Sequence, residues 1–590
     1  MKQFFKTMFA SVFGVIIGVG VLTLLGIGIL VGAAASGSSS DYKPKDNTVF
    51  TLKLSGMIAD QTAGNPFAEL MGEQSVGMSL MDVTKAIRNA KKNDKIKGIY
   101  LDAGNMAGGF ASYEAIRREL EDFKSSGKFI VSYADFYTQG TYYLASVADS
   151  VFVNPQGSIN LTGLVSQGIF FKNLAAKFGV EFYIFKVGTY KSAVEPYFMD
   201  KFSDANREQL TSFLGSIWGN MRAGICKSRQ IKEEDFTRFV NEGMAMGDPK
   251  LTIDFKLADA LAYRHEAEAC VKRMAKQEAD EKMVSADVKK MISIKNDTEE
   301  KDDKVAVLYA EGTIQEKGGV SPMGMNDAII NEGLVKDLHK LAKDEDVKAV
   351  VLRVNSPGGS AYISEQIWKA VVDLKAVKPV VVSMGDYAAS GGYYISCAAN
   401  KIVAEHTTLT GSIGVFGVIN NAAGTFKLLD VTTDEVKTNT YADLGTMSRP
   451  MREDEKALIQ RGVERTYDLF LTRCSDGRGL SKDSIDHIGQ GRVWTGDQAL
   501  ERGLVDRVGG LEVAISEAAA LAGVTDFEVT KANQKKDFFT EFMEKMQEDA
   551  KVSLIRSVMD ANEYKAYSTI QEMKSQTGIQ ARMPYLLQGL

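Results

Sequence analysis

Ser390 stands in Ser383-Met-Gly-Asp-Tyr-Ala-Ala-Ser-Gly-Gly-Tyr-Tyr394, where an apolar β-type run gives way to small residues and then a helical pattern. A serine on a tight strand-to-helix turn exposes its hydroxyl, and the helix N-terminus helps to hold negative charge beside it. That is nucleophile chemistry. Serine is also favoured as a helix N-cap, and the local pattern by itself leaves both readings open. Ser356-Pro-Gly-Gly359 follows the apolar run 349–354. A backbone N–H there, with that of Gly391, could form an oxyanion hole; a plain Gly-rich turn is the alternative. The segment is not a phosphate-binding loop, because the Gly-Lys-Ser/Thr ending is absent.

A serine hydroxyl needs a base. The chain has only 4 histidines. His406 is the one near the motif, in a predicted loop; His265, His339 and His487 have no motif around them. The other route is a lysine made neutral by burial. Lys191, in Val187-Gly-Thr-Tyr-Lys-Ser-Ala-Val-Glu-Pro196, is that candidate, with an ordinary surface lysine as the alternative.

The elements that must position these groups come from a repeat. Shifting the chain by 251 residues lays Lys97–Leu101 (KGIYL) on Lys348–Leu352 (KAVVL) without a gap. Gly108 then falls on Gly359, Glu114 on Glu365, Ser132 on Ser383, Asp135 on Asp386, Gly140 on Gly391 and Gly163 on Gly414. One register held this long implies an internal duplication. Each copy alternates strand-type and amphipathic helical runs, the grammar of βαβ units with parallel sheets. The copies differ where chemistry would sit. Ser390 aligns with Gln139, and Lys191 aligns with Ala442. Each half keeps the group the other lacks, which suggests one composite Ser/Lys site, with both groups from the same chain.

Composition limits the remaining options. Lys plus Arg number 70 and Asp plus Glu 76, a net charge of −6 that argues against a nucleic-acid binder. Four cysteines in 590 residues exclude a disulfide framework and read as buried thiols. Residues 8–35 form an uncharged apolar run preceded by Lys2 and Lys6, long enough for a membrane-spanning helix with its N-terminus inside; a cleaved signal peptide is the competing reading. The expected division is 1–41 for a stub, anchor and linker, 42–295 for a lysine-bearing domain, and 296–590 for a serine-bearing domain with a helical tail. The charged segment 284–304 reads as the linker between copies.

Asn355–Gly359 (NSPGG), Met384–Tyr394 (MGDYAASGGYY), Leu409–Gly417 (LTGSIGVFG) and Val187–Pro196 (VGTYKSAVEP) together resemble the long, duplicated form of the signal peptide peptidase A family, over roughly residues 45–590. The resemblance implies tandem α/β domains of ClpP/crotonase-like fold, with parallel sheets flanked by helices. It implies a serine endopeptidase in which Ser390 is the nucleophile, Lys191 the general base and Ser412 the residue that orients the lysine amine. Gly359 and Gly391 match the oxyanion positions. No cofactor or metal is implied. Similar proteins are anchored in the bacterial inner membrane with the catalytic region on the extracytoplasmic side. They degrade cleaved signal peptides and assemble as homotetramers. Trp494-Thr-Gly496 and Ala499–Asp506 also match, as a closing strand and helix. Two other readings compete: a crotonase-like acyl-CoA enzyme, and a non-catalytic membrane scaffold.

Overall fold

The computed structural model describes residues 14, 18, 42–61, 77–294, 301–316, 329–533 and 579–582. The long β-branched runs become central strands buried on both faces, as parallel strands covered by helices must be. In the first half, Gly77–Ser79, Thr48–Ala59, Ile96–Ala107, Phe129–Tyr137, Ser150–Ile159 and Ala260–Leu261 lie in that order in a parallel sheet; Ser285–Ala286 adds to Thr48–Ala59. In the second half, Lys304–Glu311, Val347–Ser356 and Val380–Ala389 are neighbours in a sheet built the same way.

The duplication extends to the closing contacts. Tyr142 donates to the Leu257 carbonyl and the Val151 N–H to Asp259, while Tyr393 donates to the Leu504 carbonyl and the Ile402 N–H to Asp506. The Ala499–Asp506 stretch therefore closes its domain structurally.

A third, smaller sheet joins the halves. Glu181–Val187 of the first half pairs antiparallel with Val415–Asn421 of the second, Val187 opposite Val415 and Glu181 opposite Asn421. Ile579–Arg582 lies between Val415–Asn421 and Gly358–Ser360, antiparallel to both. The cores interlock across this seam. Tyr183 and Phe185 are buried in the second half's core, and Ala389, Leu409 and Val493 in the first half's. Arg353 crosses it too. Its guanidinium bonds Asp60 at 2.9 Å, Ser383 Oγ at 3.0 Å and the Met384 carbonyl at 2.8 Å, with both charged partners buried.

Two expectations change here. The segment 284–304 is not simply a linker: Ser285–Ala286 joins the first sheet, and Met291 on the helix Val288–Ile292 is fully buried. Its apolar residues were outnumbered by charge in the sequence pattern. The second correction concerns the membrane. Among the described residues, no helix is long and apolar enough to cross a bilayer. The two 26-residue helices, Asp204–Arg229 and Glu453–Arg478, have the length but carry charges throughout, such as Arg207, Glu208, Arg222 and Lys227 on the first. Of residues 8–35, expected as the anchor, all but 14 and 18 lie outside the described residues, as does 534–574 of the tail 531–574, expected to be helical. The single-pass anchor, the bilayer contact and the inner-membrane, extracytoplasmic placement are therefore withdrawn.

Candidate active site

Ser390 terminates the strand Val380–Ala389 and precedes the helix Gly391–Ser396. Its backbone sits at φ 57° and ψ −113°, a region costing about 1–3 kcal/mol for a residue with a side chain. The conformation is held by its N–H donating to the Gly411 carbonyl at 2.8 Å and by its carbonyl accepting from Tyr394 at 2.8 Å. The hydroxyl makes no capping bond to the helix. It lies 2.7 Å from the Lys191 amine instead. The N-cap alternative therefore lacks the bond that defines it.

Lys191 follows the strand Glu181–Val187, which the small sheet carries into the second half. The side chain is fully buried. Its Nζ reaches Ser390 Oγ, the Ser412 carbonyl at 3.0 Å and Ser412 Oγ at 3.1 Å. Burial alone drives its pKa well below the usual lysine value, with no charged neighbour contributing. An amine in this setting is neutral where an exposed lysine is charged, so its lone pair can take a proton. Ser412, at φ 49°, is held by its N–H donating to the Arg492 carbonyl at 2.7 Å.

Gly359 lies in the short strand Gly358–Ser360 at φ 154°. A Cβ there would stand 2.0 Å from the Ile314 carbonyl oxygen, so only glycine fits. Gly391 opens its helix, where a backbone N–H has no intrahelical partner. At Gly392 a Cβ would meet the Ser356 carbonyl at 2.6 Å, so the helix start packs directly on the 356–359 turn. His406 is drawn elsewhere: its half-exposed ring bonds Asp497 at 2.5 Å, and that bond raises its pKa. In the first half, the place of Ser390 is filled by Gln139, whose amide bonds the Gly163 carbonyl and the Thr162 and Gly163 N–H groups. Among the described residues, no group of three or more His, Cys, Asp or Glu side chains could hold a metal ion.

The model of peptidase family S49 matches residues 122–279 and 372–525, covering both halves. The chain belongs to peptidase family S49. It is 36 % identical to Protease 4 of Salmonella typhi over 517 residues, covering 85 % of this chain and 82 % of that protein. It is 33 % identical to the chloroplastic serine protease SPPA of Arabidopsis thaliana, over 81 % of this chain and 70 % of that one. This S49 member is a serine protease, which displaces the acyl-CoA enzyme and scaffold alternatives. A Clp protease model also matches residues 296–409. The solved structure of a ClpP1 mutant from Listeria monocytogenes aligns over 36 % of this chain and 94 % of its own, at 14 % identity and a TM-score of 0.23. The S49 match over both halves supports tandem α/β domains of the S49 peptidase type, and the ClpP/crotonase-like description is corrected to that.

Motif reading missed the residues that dock the lysine loop. Tyr190 N–H donates to the Gln490 carbonyl at 2.8 Å. A Cβ at Gly491 would lie 2.6 Å from the Lys191 nitrogen. The matched Trp494-Thr-Gly496 motif adjoins this segment, but its neighbours Gln490, Gly491 and Arg492 carry no chemical signature of their own.

Proposed function

We propose that this S49 protease cleaves extended peptides by a Ser390–Lys191 dyad. The 2.7 Å contact between a fully buried amine and a strained serine carries the reading. The neutral Lys191 amine takes the Ser390 proton as Oγ attacks the scissile carbonyl carbon. The oxygen of the tetrahedral intermediate accepts from the Gly359 and Gly391 N–H groups. The Lys191 ammonium then protonates the leaving amine, and the peptide's acyl part stays on Ser390. Water, deprotonated by the amine, releases it. Ser412 holds the amine toward Ser390 through both of its oxygens. The working division into a lysine-bearing 42–295 and a serine-bearing 296–590 follows the same logic.

The chain's own Ile579–Arg582, paired on both edges between Gly358–Ser360 and Val415–Asn421, supports substrate entry as an added strand. A protein of Enterococcus faecium provisionally named signal peptide peptidase SppA is 34 % identical over 38 % of this chain and 65 % of its own. Apolar peptides of the signal-peptide type are thus a reasonable first substrate class to assay. On such a fluorogenic peptide, Ser390→Ala and Lys191→Ala are each expected to lower kcat by about 10⁴-fold or more. Wild-type cleavage by either variant refutes the dyad; loss of parent activity in EDTA refutes a metal-independent mechanism.

A further inference from the structure

All three side-chain bonds of the Lys191 amine go to the second half of the chain. The loop it stands on is docked by Gln490 and Gly491 of the second half and is also held from its own half. Gln209, fully buried on the helix Asp204–Arg229, does this from both sides of the lysine. Its Nε2 lies 3.0 Å from the Tyr190 carbonyl and 2.8 Å from Ser192 Oγ, with Asn206 Oδ1 at 3.1 Å. Its Oε1 accepts from the Val493 N–H at 3.2 Å. The amide has one orientation, because the Tyr190 carbonyl only accepts and the Val493 N–H only donates.

Val493 is opposite Gly411 in an antiparallel pair. Gly411 accepts from the Ser390 N–H, and Arg492, next to Val493, accepts from the Ser412 N–H. One buried amide thus links the residues flanking the base to the strands that back the nucleophile and Ser412. We infer that Gln209 is a positioning residue for the general base, setting the Lys191 amine against Ser390 and keeping water from it. This rests on the dyad reading and goes beyond it.

Two effects should follow from losing the amide. Misplacement of a reacting group by a fraction of an ångström to 1 Å lowers turnover more than binding. Water admitted to the amine restores its charged form, moving the acid limb of the pH–rate profile upward. None of the charged groups packed around this loop bonds the Lys191 amine. Glu208 and Arg492 are paired with one another and with Tyr190, whose hydroxyl bonds both, and Glu195 accepts from Ser203 and Asn206.

The test uses the full chain with Gln209→Ala, Gln209→Met, which keeps volume without the bonds, and Gln209→Glu, which keeps only the acceptor. Asn220→Ala is the control: it lies on the same helix and bonds Asp497 across the halves at 2.9 Å, away from the site. The Gln209 variants should lose about 10–100-fold in kcat with KM within about twofold, and their kcat/KM acid limb should move to higher pH. Asn220→Ala should leave the limb in place even where it lowers the melting temperature. Should Gln209→Met not fold, Gln209→Glu carries the same expectation. Folded Gln209 variants with the parent's kcat and pH profile overturn the positioning role. In that case inactive Ser390→Ala and Lys191→Ala would leave the dyad intact, whereas active ones would remove the dyad itself.

Discussion

Replacing Lys191 by methionine should abolish proteolysis and make the protein more stable below about pH 9. Methionine matches the length of the side chain and removes the amine from a site with no counter-ion. The unfolded chain protonates this lysine below about pH 10.4, whereas the folded chain keeps it neutral down to its depressed pKa. Across that window the unfolded state binds one more proton, so the parent's stability falls by about 1.4 kcal/mol for each unit the pH drops. Below the folded pKa the loss stops growing. At pH 8, a folded state with a neutral amine forgoes about 3 kcal/mol on this account. Methionine avoids that cost but leaves the Ser412 carbonyl and hydroxyl without the amine, offsetting about 1–2 kcal/mol. The net gain at pH 8 is about 1–2 kcal/mol and approaches zero or reverses by pH 10. Denaturant titrations of the two proteins at pH 10, 9 and 8 measure it, since the difference cancels every other titrating group. A difference that does not change with pH refutes the claim that a neutral lysine is buried here.

Three other outcomes are expected. Arg353→Met leaves Asp60 buried without its cation and should destabilise the fold by about 3–5 kcal/mol in denaturant unfolding; a loss below 1 kcal/mol would mean that water or rearrangement replaces the pair. Glu114, bonded to Thr407 across the seam, is raised to about 7 by burial first and then by Glu405. The folded state therefore holds an extra proton between about pH 4.5 and 7, and stability declines as pH rises through that range; Glu114→Gln should flatten the decline in melting temperature. Gln580→Pro removes an N–H from the strand between Gly358–Ser360 and Val415–Asn421. If that groove takes substrate, weakening the chain's own occupant should raise the initial rate on a short peptide about two- to tenfold, and an unchanged rate argues against competition there.

The duplication made much of the fold legible. The apolar run 349–354 is the centre of the strand Val347–Ser356, because continuous β-branched runs have few other uses. The amphipathic helical runs expected between the strands are there, the helix Ala361–Lys375 among them. Less legible was 284–304, where a short buried element hides in charged sequence. Gln209 was invisible, since a glutamine on a helix has no signature until its amide meets Tyr190, Ser192 and Val493. The position of Gly491 against Lys191 was equally silent, because close backbone approach is a fact of packing rather than of residue type.

What the sequence by itself determined is the pair of candidate groups. Two copies of one frame act as each other's control, so a serine opposite Gln139 and a lysine opposite Ala442 stand out without any structure. Only the tertiary structure decided that they meet. Ser390 and Lys191 are 199 residues apart, and neither local propensity nor hydrophobic pattern specifies a contact at that separation. The contact depends on Glu181–Val187 leaving its own half to pair with Val415–Asn421, and on Tyr183 and Phe185 burying in the other core. The same packing encloses the amine, and that enclosure, a property of neighbours distant in the chain, is what lowers the pKa of an ordinary lysine, as the proposed dyad requires.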